Sequence, residues 1–231
     1  MRKTLEAAVQ SGQLQLTPTQ IGQLCQYGAM LLEKNRVMNL TAITEPEAVA
    51  QLHFLDCLAL LQLADFGGKK VIDIGCGAGF PGIPLLIAQP DLDLTLLDST
   101  AKRIGWLREE VLPALGLQAQ CVAARAEEYV SGCRETYAVA VSRAVARLPV
   151  LAELALPFVQ PGGVFLAMKG AAAQQEADEA ARAICLLGGT AEKIAEYPIA
   201  DAVHRVVVIR KERATPQRYP RRFAQIRQSP L

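Results

Sequence analysis

The run Val71-Ile72-Asp73-Ile74-Gly75-Cys76-Gly77-Ala78-Gly79-Phe80-Pro81-Gly82 is an apolar strand passing directly into a glycine-rich turn, with Asp73 near the strand's end. Glycines at 75, 77 and 79 let the backbone take positive φ and let a ligand approach where any Cβ would collide. Such a turn grips a nucleoside cofactor. Phe80 stands where the dinucleotide fingerprint requires its third glycine, so the spacing is G-x-G-x-G and favours a nucleoside that brings no phosphates. Asp98 closes the next apolar run, Leu92 to Leu97, where a carboxylate can hold both ribose hydroxyls. In a doubly wound sheet the loops after adjacent strands converge on one crevice, which brings the glycine turn and Asp98 together. S-adenosylmethionine fits that pocket. Its sulfonium and amino group are positive, Asp73 and Asp98 are negative, and the chain has no Walker lysine motif.

Working outward, alternating strands and helices begin at Lys70, which implies a parallel sheet covered on both faces. The apolar runs predict strands near 71–74, 93–98, 118–123, 137–141, 162–168, 190–196 and 203–209, with the clearest helices at 101–115, 148–157 and 173–186. Only Pro198 to Ala202 separates the last two strands, too short a connection for a parallel crossover, so the final strand runs antiparallel. The first 66 residues lack strand alternation and read as helices. Thr17-Pro18 is a helix start, followed by Ile21, Leu24, Cys25, Leu31 and Leu32 at helical spacing; Glu47 to Leu63 repeats the pattern between Pro46 and Gly67-Gly68. The expected fold is therefore α/β, with a seven-stranded, mostly parallel sheet and an antiparallel last strand, which resembles the common Rossmann-like sheet of class I S-adenosylmethionine-dependent methyltransferases. The expected organisation is a helical extension over 1–66 packed on the catalytic domain, that domain over 67–211, and a basic tail over 212–231.

The 231 residues suit one catalytic domain with an appendage, and the 51% of hydrophobic residues lie in short runs, none approaching the ~20 apolar residues of a membrane span. Met1 to Ser11 has no apolar stretch of a secretory signal, so the expectation is a cytoplasmic chain with no membrane partner. Cysteines at 25, 57, 76, 121, 133 and 185 form no C-x-x-C pair; they read as reduced, mostly buried thiols, with no metal expected. Cys76 reads as a small residue tolerated in the turn.

Several separated motifs then agree in order. Asn39-Leu40-Thr41, His53 to Asp56, Asp73 to Pro84, Leu97-Asp98-Ser99 with Lys102-Arg103, Arg125-Ala126-Glu127, Ser142-Arg143-Ala144, Lys169-Gly170 and Tyr219-Pro220-Arg221-Arg222 together resemble the RsmG (GidB) family of 16S ribosomal RNA methyltransferases over nearly the whole chain. The resemblance implies methyl transfer from S-adenosylmethionine to N7 of a guanine in the 530 loop of 16S rRNA, with the small ribosomal subunit or an assembly intermediate as partner. It also implies that Gly75 and Phe80 contact the cofactor, that Ala126 and Glu127 frame its adenine, and that Arg143 lies at the pocket mouth. After Arg222 the family shows Gly-x-Pro and a lysine, whereas this chain reads Phe223-Ala224-Gln225-Ile226-Arg227-Gln228-Ser229-Pro230-Leu231, a departure confined to the docking tail.

The residues fit that chemistry. Guanine N7 carries an in-plane lone pair and needs no base, so a site that only aligns two reactants suffices. Val141-Ser142-Arg143-Ala144 replaces the Asp/Asn-Pro-Pro-aromatic motif of exocyclic-amine methylation, and Cys133 precedes the fourth strand, which closes the cysteine route to cytosine C5. Two readings stand for Asp73, capping the turn or meeting the methionine amino group. Arg143 should face substrate or a carboxylate at the strand's open end, because an unpaired buried guanidinium is costly. His53 and Asp56, three apart on a helix, either pair with each other at the surface or serve the site. Lys169 lies near the expected RNA path, where a solvated lysine is the default reading and a role toward substrate the other, and His204 reads as structural, far from the crevice.

A net charge of +1 leaves phosphate attraction to local clusters. Arg210, Lys211, Arg213, Arg218, Arg221, Arg222 and Arg227 face a single acid, Glu212, with Tyr219 and Phe223 interleaved, which suits RNA phosphates and exposed bases. Arg221 and Arg222 are the expected tail contacts, and Lys102 and Arg103 an extension of the footprint; a solubilising tail and a charged helix face are the plainer alternatives. Other functions compatible with the fold are a methyl-donor-binding assembly factor without turnover and a nicotinamide-dependent oxidoreductase, the latter disfavoured by Phe80. With no heptad run, a monomer is expected.

Overall fold

A computed structural model of the chain describes residues 1–200 and 202–231. Helix α1 (Arg2–Gln10) leads into α2 (Pro18–Met38), whose start is fixed by a reciprocal cap. Thr17 Oγ1 accepts the Gln20 N–H at 3.3 Å, the Gln20 side chain accepts the Thr17 N–H at 2.8 Å, and Pro18 occupies the first turn, where its missing N–H costs nothing. A third helical stretch, α3 (46–62), begins at Pro46, widens into π turns over Ala50–Leu55 and tightens to 3-10 geometry over Ala59–Gln62.

Alternation follows: β1 (Lys70–Ile74), α4 (Gly82–Ala88), β2 (Asp93–Asp98), α5 (101–115), β3 (Gln120–Ala123), the short α6 (Ala126–Tyr129), β4 (Tyr137–Arg143), α7 (Leu148–Ala155), β5 (Val159–Lys169), α8 (Ala173–Leu186), β6 (Gly189–Ile199) and β7 (Ala202–Lys211). Among the described residues the sheet has seven strands in the order β3-β2-β1-β4-β5-β7-β6, all parallel except β7, which runs antiparallel to both neighbours. Strand order reverses at β1 and β4, and the crevice beyond the carboxyl ends of those strands is where ligands bind in open α/β sheets.

Side chains alternate between the two faces along each strand. Val71, Leu96 and Val141 join Leu24, Tyr27, Phe54, Ile83 and Trp106 on one side, while Ile72, Leu97 and Ala140 join Leu151, Ala155, Ala180 and Ile184 on the other. The N-terminal helices therefore share a core with the sheet. The strands run longer than the apolar runs alone predict: β5 starts at Val159, ahead of Gly162 and Gly163, and β6 and β7 pair from Gly189 with Lys211 to Ile199 with Ala202. Their expected connection, Pro198 to Ala202, is mostly absorbed into this ladder, and its residue 201 lies outside the described residues. Among the described residues no helix is long and apolar enough to cross a membrane.

Candidate active site

The glycine turn is fastened to the end of β2. Gly75 and Cys76 donate backbone N–H bonds to Leu97 O at 2.7 and 3.0 Å, and Gly77 N–H reaches Asp98 Oδ2 at 2.9 Å. The conformation demands glycine: φ is +70° at Gly75, +57° at Gly77 and +99° at Gly79, and a Cβ on Gly75 would stand 2.4 Å from Val145 Cγ2. Beside the turn opens a cleft of about 300 Å³. Gly75, Asp98, Arg103, Ala126, Glu127 and Val145 line it, together with Phe223 from the C-terminal segment. Asp98 Oδ1 accepts the Thr100 N–H at 2.7 Å, so each carboxylate oxygen keeps a lone pair for a further donor. At the far wall α6 begins at Ala126 with no side-chain cap, which leaves its first N–H groups to a ligand. A nucleoside-bearing donor fits this set: an acceptor pair for ribose hydroxyls, N–H groups for a base edge, and a glycine at the turn where a Cβ would narrow the cleft.

Asp73 does not line this cleft. Its Oδ2 caps the Gly82 N–H at 2.8 Å, and burial, only partly offset by that bond and by Arg143, pushes its pKa up to about 7. Its Oδ1 is buried without a hydrogen-bond partner among the described residues. Gly77 and Gly79 shape the turn from behind. Phe80 is 5% exposed and turned to the helical side, 4.6 Å from His53 and 5.3 Å from Tyr27 between ring centroids, with the Arg143 guanidinium 4.8 Å over its face. Its ring is thus packed among His53, Tyr27 and Arg143 and does not line the cleft.

A second pocket, about 400 Å³, adjoins the cleft through Ala144, Val145 and Ala146, which line both. Its walls carry Asp56, Arg143, Lys169, Glu176 and His204. Arg143, at the end of β4, is 17% exposed at its side chain and tied to α3: it donates to Asp56 Oδ2 at 3.3 Å, to the Leu52 carbonyl at 3.2 Å and to His53 Nδ1 at 2.9 Å. Since guanidinium can only donate, His53 Nδ1 is the acceptor and its Nε2–H points to Thr41 Oγ1 at 2.9 Å. Burial first, and Arg143 second, hold the His53 pKa down at about 3, which agrees with this neutral tautomer. Asp56 Oδ1 meanwhile accepts from His204 Nδ1 at 2.8 Å and from the Tyr197 hydroxyl at 3.1 Å. One buried carboxylate thus joins the N-terminal helices, the end of β4 and the β6–β7 hairpin.

This arrangement corrects several expectations. His53 and Asp56 are buried and do not pair with each other; both turn to Arg143 at the end of β4. His204 is not remote, since the antiparallel hairpin folds it back onto Asp56. Arg143 faces the second pocket and lies outside the first cleft. Lys169 is not solvated: its ammonium reaches Glu176 Oε2 at 2.8 Å and Ala146 O at 2.6 Å.

Of the two basic residues on α5, Arg103 turns into the cleft, 3.8 Å from Asp98, while Lys102 is exposed. The segment after β7 is folded onto the body. Lys211 is wholly buried on Leu156 O and Thr215 Oγ1, and a short helix, α9 (Phe223–Gln228), buries Ile226. Arg221, expected on RNA phosphate, instead grips the fully buried Glu153 with contacts from 2.7 Å, because an acid on the inner face of α7 needs a cation. Arg222 stays exposed.

Sheet order, glycine turn and cleft define a Rossmann-like class I methyltransferase, and solved structures share the fold. TrmN from Thermus thermophilus superposes with a TM-score of 0.56 at 22% identity over 68% of this chain and 48% of its own, so the match spans about half of that protein. Precorrin-6y C5,15-methyltransferase from Geobacter metallireducens does so at 0.55 and 13% identity over 76% and 92%. Residues 20–202 match the GidB family model, described as rRNA small subunit methyltransferase G. A protein of that name from Alkaliphilus oremlandii is 43% identical over 100% of this chain and 99% of its own, and one from Clostridium botulinum strain Kyoto 41% over 98% and 97%. The chain belongs to this family and is a methyltransferase. Membership sets aside the nicotinamide-dependent oxidoreductase.

Proposed function

We propose that the protein transfers a methyl group from S-adenosylmethionine to N7 of a guanine in the 530 loop of 16S rRNA, acting on the small ribosomal subunit or its assembly intermediate in the cytoplasm. The observation that carries the reading is the pair of adjoining pockets, a nucleoside cleft opening past Ala144, Val145 and Ala146 into a chamber walled by Arg143, Lys169 and His204. Asp98 would hold the donor's ribose, Glu127 and the first N–H groups of α6 its adenine, and Gly75 would let its sulfonium arm pass toward Val145. When bound, S-adenosylmethionine supplies an electrophilic methyl; the N7 lone pair forms the new N–C bond as the C–S bond breaks, and the positive charge moves from sulfur to the guanine.

No proton leaves in this step. What the chain must do is hold the base in line with the methyl, and such alignment is worth ~7–11 kcal/mol of barrier. Arg143 serves this as a positioned wall, since its bonds to Asp56, Leu52 and His53 leave it little freedom. Exposed cations on α5 and along the C-terminal segment, Lys102 and Arg222 among them, would meet RNA phosphates. The test is to incubate the full chain with tritiated S-adenosylmethionine and unmethylated small subunits, then cleave at 7-methylguanine with borohydride and aniline. Cleavage within the 530 loop is the expected result; donor binding with no label in the RNA would favour an assembly factor that does not turn over.

A further inference from the structure

The second pocket holds two carboxylates, and they differ in what the protein leaves them. Asp56 is engaged at both oxygens: Oδ2 takes Arg143, and Oδ1 takes His204 and Tyr197. Glu176 is half used. Its Oε2 accepts the Leu148 N–H at 2.7 Å and the Lys169 ammonium at 2.8 Å, while among the described residues no group donates to Oε1. Both side chains of the Lys169–Glu176 pair line the pocket although they are only 8% and 15% exposed. Lys169 spends its remaining protein bond on Ala146 O at 2.6 Å, so one of its three N–H donors is left over. One oxygen and one N–H of the pair are thus open to a molecule held in the pocket.

Lys169 and Glu176 stand side by side on the pocket wall, and Lys169 is tied to Ala146, which both pockets share, so a base held beside the donor cleft can meet an ammonium and a carboxylate together. A guanine whose N7 faces the methyl group presents, moving away from N7, the O6 acceptor and then the N1–H and N2–H donors. Adenine in the same pose presents a donor first and a lone pair second.

We propose that Lys169 and Glu176 read the Watson–Crick edge of the target guanine, Lys169 donating to O6 and Glu176 Oε1 accepting from N1–H and the 2-amino group. This deepens the guanine reading above and rests on it. The same carboxylate also assists transfer, because the guanine gains positive charge as N7 takes the methyl and the N–H donors on that edge strengthen.

The experiment is a cycle between protein and base. Wild type and E176Q are assayed on small subunits reconstituted with 16S rRNA carrying either guanosine or inosine at the target position. Inosine keeps N7, O6 and N1–H and lacks only the 2-amino group. In E176Q the amide oxygen can still accept from Leu148, but its NH₂ then meets donors instead of taking them. The proposal expects inosine to lower kcat/KM of the wild type roughly tenfold or more, as for a hydrogen bond to a charged group, and E176Q to be slow on guanosine with that preference erased. Equal wild-type rates on the two substrates overturn it, and need no variant to fold. A guanosine preference that survives undiminished in E176Q overturns it too. Either result leaves methylation of guanosine intact, whereas no N7 product on guanosine with wild type would remove the guanine reading itself.

Discussion

The two pockets sit side by side yet are built by opposite means. The donor cleft is made from consecutive pieces of chain, the turn after β1, the end of β2 and the start of α6, and its polar fittings are mostly backbone N–H groups organised by one carboxylate. The second pocket is assembled from side chains more than eighty residues apart, in which Asp56 of α3 receives Arg143 of β4 and His204 of β7. The first is rigid because the turn cannot take another shape. The second is rigid because its charges compensate one another, and breaking one member of a buried set strands the others.

The largest effect should come from Asp98→Ala. It removes the acceptor for Gly77 and Thr100 N–H groups as well as the proposed ribose contact, and each buried donor left unpaired costs ~1–3 kcal/mol. Equilibrium binding should show S-adenosylmethionine affinity lowered on the order of 100-fold. Retained affinity would mean that the cleft is held by something other than its carboxylate.

The next contrast concerns the C-terminal segment, where neighbouring arginines have different duties. Arg221→Ala leaves the Glu153 carboxylate buried and unpaired and should destabilise the fold by about 3 kcal/mol or more in denaturant titration. Arg222→Ala should change stability by less than about 0.5 kcal/mol while lowering the salt slope of RNA binding by about 1. Equal stability losses would show that the pairing with Glu153 carries no weight.

His53 provides a sign. Its folded pKa of about 3 lies below the ordinary value of 6.5, so between those pH values the unfolded chain holds a proton that the folded chain does not. Stability contributed by the neutral ring is therefore complete above pH 6.5 and declines as pH falls toward 3, by up to about 1.4 kcal/mol per pH unit. His53→Gln removes this contribution, and its unfolding free energy should fall less steeply with acidification than that of wild type. Parallel slopes would place the acid sensitivity elsewhere.

What could be read in the sequence follows the same division. The glycine turn, Asp98 and the strand and helix alternation are local patterns, and the antiparallel last strand follows from the short chain between β6 and β7. Asp73 was open between two readings, and the cap on Gly82 is the one the structure realises. The Asp56, Arg143, His204 and Tyr197 set was not legible, because no spacing in the chain announces a hairpin that folds back on an N-terminal helix; only the motif from His53 to Asp56 hinted that α3 carried something beyond core residues. Arg221 misled for a related reason. A charge in a basic run looks solvated until its buried partner, Glu153, is known.

The most direct test of this two-pocket account is Asp56→Asn, assayed for donor binding and for methylation of small subunits in the same preparation. Asparagine keeps the shape and removes the charge that holds Arg143 and His204. The account predicts S-adenosylmethionine affinity equal to wild type, since nothing in the donor cleft is altered, with methyl transfer reduced on the order of 100-fold because the acceptor wall is misplaced. Donor affinity falling in step with methylation, or methylation at the wild-type rate, would contradict it.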